Sequence, residues 1–343
     1  TKRPTKKPTK TPTKNPTRKP TTIRCPTNPP VADKIVACQF INIPDLQTCF
    51  NVEIAGAWEA QTQIPTQIGL LTQLRDLGMA VGTVAGTIPN TIGCLTRLSR
   101  LSFVSNLLTG KIPSSIALLS SLTYLNFYDN KLTGTIPSSF QSMTWLSYLY
   151  LNFNELTGSI PSSIGSWTSL QVLEAPSNHL SGTIPSSIGS LTYLSILILS
   201  DNKLSGTIPS SIGSLTRLQT LYLSNNTLTG KIPSSFQSTI WGSMFLDLSF
   251  NELTGTIPSS IGSLTNLLVL QLSSNNLSGT IPPSIESLTN LQLMFLSSNE
   301  LHGTIPVSLC SLIPLSIVID CSEITCDCCG SSYNAIDGIL VGC

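Results

Sequence analysis

An isoleucine–proline pair recurs along most of this chain, at Ile64, Ile88, Ile112, Ile136, Ile160, Ile184, Ile208, Ile232, Ile257, Ile281 and Ile305. The step is 24 residues, with a single step of 25. Nine asparagines keep the same register: Asn106, Asn130, Asn154, Asn178, Asn202, Asn226, Asn251, Asn275 and Asn299. Self-similarity at this period restricts the fold to a stack of like coils. One coil cannot bury its apolar side chains alone, so the core forms only between neighbours and the two ends need caps. The 343 residues therefore read as one continuous array rather than two separate globular units.

A typical unit runs Leu218-Gln-Thr-Leu-Tyr-Leu-Ser-Asn-Asn-Thr-Leu-Thr-Gly-Lys-Ile-Pro-Ser-Ser-Phe. In Leu-x-Leu the period of two turns both leucines inward from a short strand and the residues between them outward. The asparagine amide can donate and accept at once, so it can satisfy backbone groups where the coil turns. Glycine at Gly134, Gly158 and Gly206 allows backbone angles costly for other residues. The proline fixes φ and keeps its segment extended. This is the leucine-rich-repeat pattern LxxLxLxxNxL, and it predicts a solenoid of stacked 24-residue coils with a parallel concave β-sheet.

The Leu-Thr/Ser-Gly-x-Ile-Pro portion resembles the plant-type subclass of these repeats over residues 64–309. That resemblance implies a second, lateral strand in each coil, a twisted superhelix, and roles as receptor ectodomains or secreted inhibitors. Leu309-Cys310, Asp320-Cys321 and Cys326-Asp-Cys328-Cys329 resemble the C-terminal cap of secreted algal relatives. The N-terminal side departs from the plant pattern, because Cys25, Cys38 and Cys49 are present without a tryptophan-containing cap signature.

The expected organisation is a tail over 1–30, an N-terminal cap over 31–63, repeats over 64–309 and a C-terminal cap over 310–343. All ten cysteines (Cys25, Cys38, Cys49, Cys94, Cys310, Cys321, Cys326, Cys328, Cys329 and Cys343) lie near the ends, as disulfide-closed caps in an oxidising compartment require. The cluster at Cys326–Cys329 has no nearby histidine and lacks the paired CxxC spacing of zinc sites, so no metal or cofactor is expected. No stretch approaches the roughly 20 apolar residues of a membrane span. The chain starts at Thr1 with no apolar leader, which fits a processed secreted protein at a cell surface or in a matrix.

Three coils depart from the consensus. Gly82 stands at the first ladder position in place of asparagine. Ala175-Pro176 replaces the strand leucine and its neighbour, where a proline is expected to remove a ladder donor. Ser238–Met244 holds the extra residue and is expected to form a bulge.

Residues 1–20 form a second repeat, with proline at 4, 8, 12, 16 and 20. There is almost nothing apolar to bury, and the proline density favours an extended polyproline-II rod. Residues 1–24 carry nine Lys/Arg and no acid, against an excess of eight acids in the rest of the chain. Thirty residues at about 3.1 Å each reach roughly 90 Å, further than ten or eleven coils stacked about 4.8 Å apart. The tail can thus lie along a neighbouring copy, with Lys2, Arg3, Lys6, Lys7, Lys10, Lys14, Arg18 and Lys19 docking on it. Because every copy supplies its own acidic partner, nucleic acid is not expected as one.

Catalysis finds no support in the residue pattern. His179 and His302 each follow a ladder asparagine, five coils or roughly 24 Å apart by strand spacing, and the carboxylates are scattered singly. Outward strand positions are more informative: Tyr124, Tyr128, Tyr148, Tyr150, Ile196, Ile198, Tyr222 and Phe295 form a candidate contact surface, with Arg100 and Glu174 as nearby charges. Sequons place N-glycans at Asn225 and Asn276, the second preferred as lying outside the asparagine ladder, and Thr5, Thr9, Thr13 and Thr17 are candidate O-glycan sites. Thr135, Thr183, Thr207, Thr256, Thr280 and Thr304 share one repeat position and could form a flat ladder suited to ice.

Three functions follow in order. The first is a non-catalytic extracellular protein that assembles head to tail with other copies into a filament or layer, carrying covalent glycans. The second is a secreted recognition module that takes a protein, peptide or polysaccharide on the concave sheet. Ice binding is third.

Overall fold

The computed structural model describes residues 52–55, 63–80, 82, 84–236, 244–306, 309, 315–320, 324–325 and 340–342. The tail, most of both caps and every cysteine but Cys94 lie outside the described residues. Cys94 is buried and disulfide-bonded.

Each coil makes one circuit. In a representative coil the strand Tyr148–Tyr150 lies in the main sheet, Glu155–Ser159 in a lateral sheet, and the five-residue 3₁₀ helix Ser162–Ser166 closes the far side. Stacking these circuits gives a 13-stranded parallel sheet in strict chain order and a 10-stranded lateral sheet running beside it. Register between coils is direct: Tyr124 pairs with Tyr148, which pairs with Val172.

The alternation read from the sequence sets the packing. Leu149 and Leu151 point inward and are fully buried, together with Leu146, Leu156, Ile164 and Trp167 from the rest of the circuit. Flanking Tyr148 and Tyr150 stay half-exposed on the other face. The proline of Ile-Pro holds extended backbone, at φ −64° and ψ 136° in Pro161, and the 3₁₀ turn starts immediately after it. Such short tight helices let successive coils approach closely. At Gly213 a Cβ would fall 2.2 Å from the carbonyl oxygen of Ser235 in the next coil, so this position has no room for a side chain.

The asparagine ladder closes the turn. Asn154 Nδ2 donates to the carbonyls of Phe127 (2.8 Å), Leu151 (3.2 Å) and Asn152 (3.2 Å), and its Oδ1 accepts from Leu132 N at 3.0 Å. One amide thereby ties its own turn to the preceding coil, and the same set recurs at Asn178 and Asn226. The residue before the ladder asparagine is left-handed in nine coils, with φ between 51° and 59°.

One expectation changes. Pro176 costs no ladder bond. In the neighbouring coils the inter-coil N–H donors are Leu151, Phe153 and Asn154, the position matching Pro176 being skipped, and the Pro176 carbonyl still accepts from Phe153 N at 3.0 Å. The bulge expected over Ser238–Met244 falls on residues that, Met244 apart, lie outside the described ones. The main-sheet register slips beside that segment, where Met244 faces Leu267 and Phe245 faces Val269, leaving Leu268 of the following coil as the extra residue. Gly82 is accommodated through its backbone, its N–H donating to Ser105 O at 3.1 Å.

Candidate binding surface

The outward residues of the main sheet build the site. Arg100, Tyr124, Tyr148 and Val172 stand side by side on successive strands, as do Asn126, Tyr150 and Glu174 one step along. Direct register at the strand spacing brings the rings together. Tyr124 lies 5.9 Å from Tyr148 and 5.5 Å from Tyr150 between ring centroids, both tilted, within the range of favourable aromatic pairing. The Arg100 guanidinium sits 4.4 Å over the Tyr124 ring, a cation–π contact at one end of the platform.

Polar groups fix the rings from several sides. Asn126 Nδ2 donates to the Tyr124 hydroxyl at 3.1 Å, and the Tyr148 hydroxyl donates to Gln171 Oε1 at 3.1 Å. At the other end Asn152 Nδ2 donates to Glu174 Oε2 at 2.8 Å, while the buried Asn152 Oδ1 has no partner. Burial pushes the Tyr150 phenol up to about 12, helped by Tyr124, Glu174 and Tyr148. Each of these makes a negative charge on Tyr150 costlier, so the phenol stays neutral and able to donate.

Of the sequence candidates, Tyr124, Tyr148 and Tyr150 form this cluster. Ile196 and Ile198 continue the face two coils beyond Tyr148 and Tyr150, and Tyr222 follows, its phenol raised by burial and then by Asp247. Phe295 is half-buried on a strand further along. Tyr128 belongs to the rim instead, edge-on to Phe153 with centroids 5.4 Å apart. Sequence reasoning passed over Phe153, which is 48% exposed at φ 53°. An aromatic at a turn position where all other repeats but that of Phe250 carry Ser, Asp or Asn was the available signal. Gln171 carried none, since it precedes the strand and obeys no alternation.

Other candidates are widely spread. His179 and His302 are both exposed at the lateral edge, in different coils. Asn225 and Asn276 are exposed. Asn225, like Asn276, lies outside the ladder, whose member here is Asn226; what distinguishes it is that its Nδ2 donates to Asp201 Oδ1 at 2.7 Å. The threonines from Thr135 to Thr304 are all exposed along the lateral sheet, but Lys111, Ser159 and Lys231 occupy the same column. No group of His, Cys, Asp or Glu able to hold a metal occurs among the described residues. Nor is any helix there long and apolar enough to cross a membrane.

Two leucine-rich-repeat profiles match the chain, one over residues 168–228 and 244–301 and the other over 121–143 and 145–167. The chain is a leucine-rich-repeat solenoid. Among solved structures, the plant peptide hormone receptor RGFR1 in complex with RGF2 is 37% identical over 77% of this chain and 42% of its own, with a TM-score of 0.73. A TDR receptor is 36% identical over 81% of this chain and 48% of its own, with a TM-score of 0.76. A plant ice-binding protein is 26% identical over 82% of this chain and 83% of its own, with a TM-score of 0.57. This solenoid thus spans less than half the length of either receptor. No curated protein matches it.

Proposed function

We propose that this solenoid is an extracellular recognition module that binds an extended peptide across its concave sheet, over Tyr124, Tyr148 and Tyr150. The observation that carries this reading is a rigid aromatic platform with opposite charges at its two ends. Arg100 and Glu174 lie three coils apart, about 14 Å at the strand spacing, which an extended peptide covers in roughly four residues. Tyrosine and arginine are the side chains that most often anchor protein interfaces. The likeness to a peptide hormone receptor solved with its ligand supports the same class of partner.

Glu174 sets the preference at its end of the platform, a hydrogen-bond donor or base on the ligand, while at the other end Arg100 lies over the Tyr124 ring and beside Asp76. Tyr148→Ala/Tyr150→Ala is expected to weaken binding at least tenfold in a screen of peptides and glycans, read by calorimetry on the hits. Selective capture of glycans would replace the peptide by a polysaccharide. Failure to bind either class sinks the reading.

Self-association through the basic tail is the second reading, carried by the charge distribution. Ice binding is supported by the exposed threonine column and by the likeness to a plant ice-binding protein, but two lysines break the column's regularity. Thermal hysteresis measures it directly.

A further inference from the structure

Charge is distributed along this chain in three blocks. Residues 1–24 carry nine Lys/Arg and no acid; residues 25–231 carry nine of each sign; residues 232–343 carry eight Asp/Glu and no Lys/Arg. The net charge of +1 is the residue of a nearly complete cancellation between the two ends of the molecule. In the structure the acidic block has a definite face. Asp247 lies outward on its main-sheet strand, Glu252 is exposed at the start of the lateral strand of the same coil, and Glu300 holds the equivalent position two coils on. Interleaved with them are Tyr222, Phe250 and Phe295. Phe250 is 61% exposed and sits at φ 53°, a left-handed conformation unfavourable for a bulky side chain. The repeat requires that angle, and serine, aspartate or asparagine meets it in every other coil but that of Phe153.

We propose that this aromatic, acidic C-terminal face is the docking site for the basic proline-rich tail, residues 1–24, of a second copy of the chain. The proposal goes beyond the recognition reading and does not rest on it. Three features select this occupant. The charges are complementary in sign and nearly equal in number. Extended proline-rich segments are bound by aromatic-lined surfaces because their backbone is already ordered. The spacings also agree: Glu252 and Glu300 lie two coils apart, about 10 Å at the strand spacing, while successive Lys-bearing tetrapeptides in a polyproline-II segment repeat about every 12 Å.

A second copy is the more direct partner. The first described strand, Val52–Ala55, stands at one edge of the main sheet and the base-free acidic block towards the other, so copies stacked end to end bring the two charges together, whereas the same copy is reached only by a tail stretched back along the whole solenoid. Close to the N-terminal edge the outward face carries Arg100 beside Asp76, opposite charges in direct register that leave no net acidic patch there. Docking the tail of one copy on the far end of another is a head-to-tail contact, and such contacts propagate unless the rotation closes a ring.

The test uses the full chain in analytical ultracentrifugation across a concentration series, at about 50 mM and about 500 mM salt. Concentration-dependent oligomers are expected at low salt and monomers at high salt. A synthetic peptide of residues 1–24 should dissolve the low-salt oligomers, and Asp247→Asn/Glu252→Gln/Glu300→Gln should weaken association at least tenfold. Asp320 is left intact because both of its carboxylate oxygens accept from backbone, Oδ1 from Ser298 N and Oδ2 from Asn299 N, whereas Asp247 accepts from Ser249 N and Oγ through Oδ1 alone, which asparagine retains. Circular dichroism verifies that the triple variant is folded. Should it misfold, lysine acetylation of the wild-type tail supplies the same test from the other side. A full chain that stays monomeric at low salt overturns the second-copy assignment, and so does a triple variant that associates like the wild type. Tyr148→Ala/Tyr150→Ala separates the two readings, since it is directed at ligand capture and not at this face.

Discussion

Asn154 donates its side-chain amide to the carbonyl of Phe127, 27 residues earlier and one coil back, at 2.8 Å. The same side chain accepts from the backbone N–H of Leu132, so a single amide secures a buried donor and shares the Phe127 carbonyl with Asn130 Nδ2, which donates to it at 3.3 Å. Asn154→Ala removes both bonds together. The expected loss is about 1–3 kcal/mol, the cost of the one stranded buried donor. Because coils touch only their neighbours, amide exchange should rise in residues 127–156 and remain slow near Asn275. Uniform loss of protection would contradict this picture.

Crowding between 3₁₀ helices gives a sharper contrast. Gly213→Ala places a methyl group 2.2 Å from the Ser235 carbonyl oxygen and 2.8 Å from its Cβ, and should cost about 1–3 kcal/mol in urea unfolding. Gly78→Ala meets nothing within 4 Å on its strand and should be neutral or gain up to about 1 kcal/mol. Equal effects from the two substitutions would mean that neighbouring coils are packed less tightly than described.

Backbone strain at the turn is testable with asparagine, which tolerates left-handed angles. Phe250→Asn should raise stability by about 1 kcal/mol, since that ring is the more exposed of the two and its φ is 53°. Phe153→Asn should gain less, because it also gives up the edge contact with Tyr128. A loss at position 250 would show that its ring is held by packing rather than merely tolerated.

Ionisation of Tyr150 reports on the platform directly. Its pKa is raised to about 12 from an ordinary 10, so the neutral phenol is favoured in the folded state. That contribution to stability is complete below pH 10 and is lost as the pH rises toward 12. Phenolate absorbance should show a component titrating near 12 that disappears in Tyr150→Phe. Glu174→Gln should lower it while leaving it above 10, because burial is the larger cause and the carboxylate a smaller one.

The period, the inward leucines, the asparagine ladder and the glycine turns were all legible in the sequence of this chain. They are local rules, and the repeat states each of them many times over. Pro176 shows where local reading stops. A proline in a strand pattern suggests a lost donor, but only the hydrogen bonds of the other coils reveal that no inter-coil donor is used there, the N–H of Tyr128 and Ser249 at that position turning instead to side chains of their own coils. Likewise the alternation placed Tyr124, Tyr148 and Tyr150 on one face, whereas their convergence with Asn126, Gln171, Asn152 and Glu174 depends on register between coils. The sequence by itself determined that the chain must stack and which side chains enter the core, because burial follows a fixed period along the backbone. Only the tertiary structure decided which outward residues of separate coils meet as a surface, because those contacts run across the repeat, at right angles to the chain.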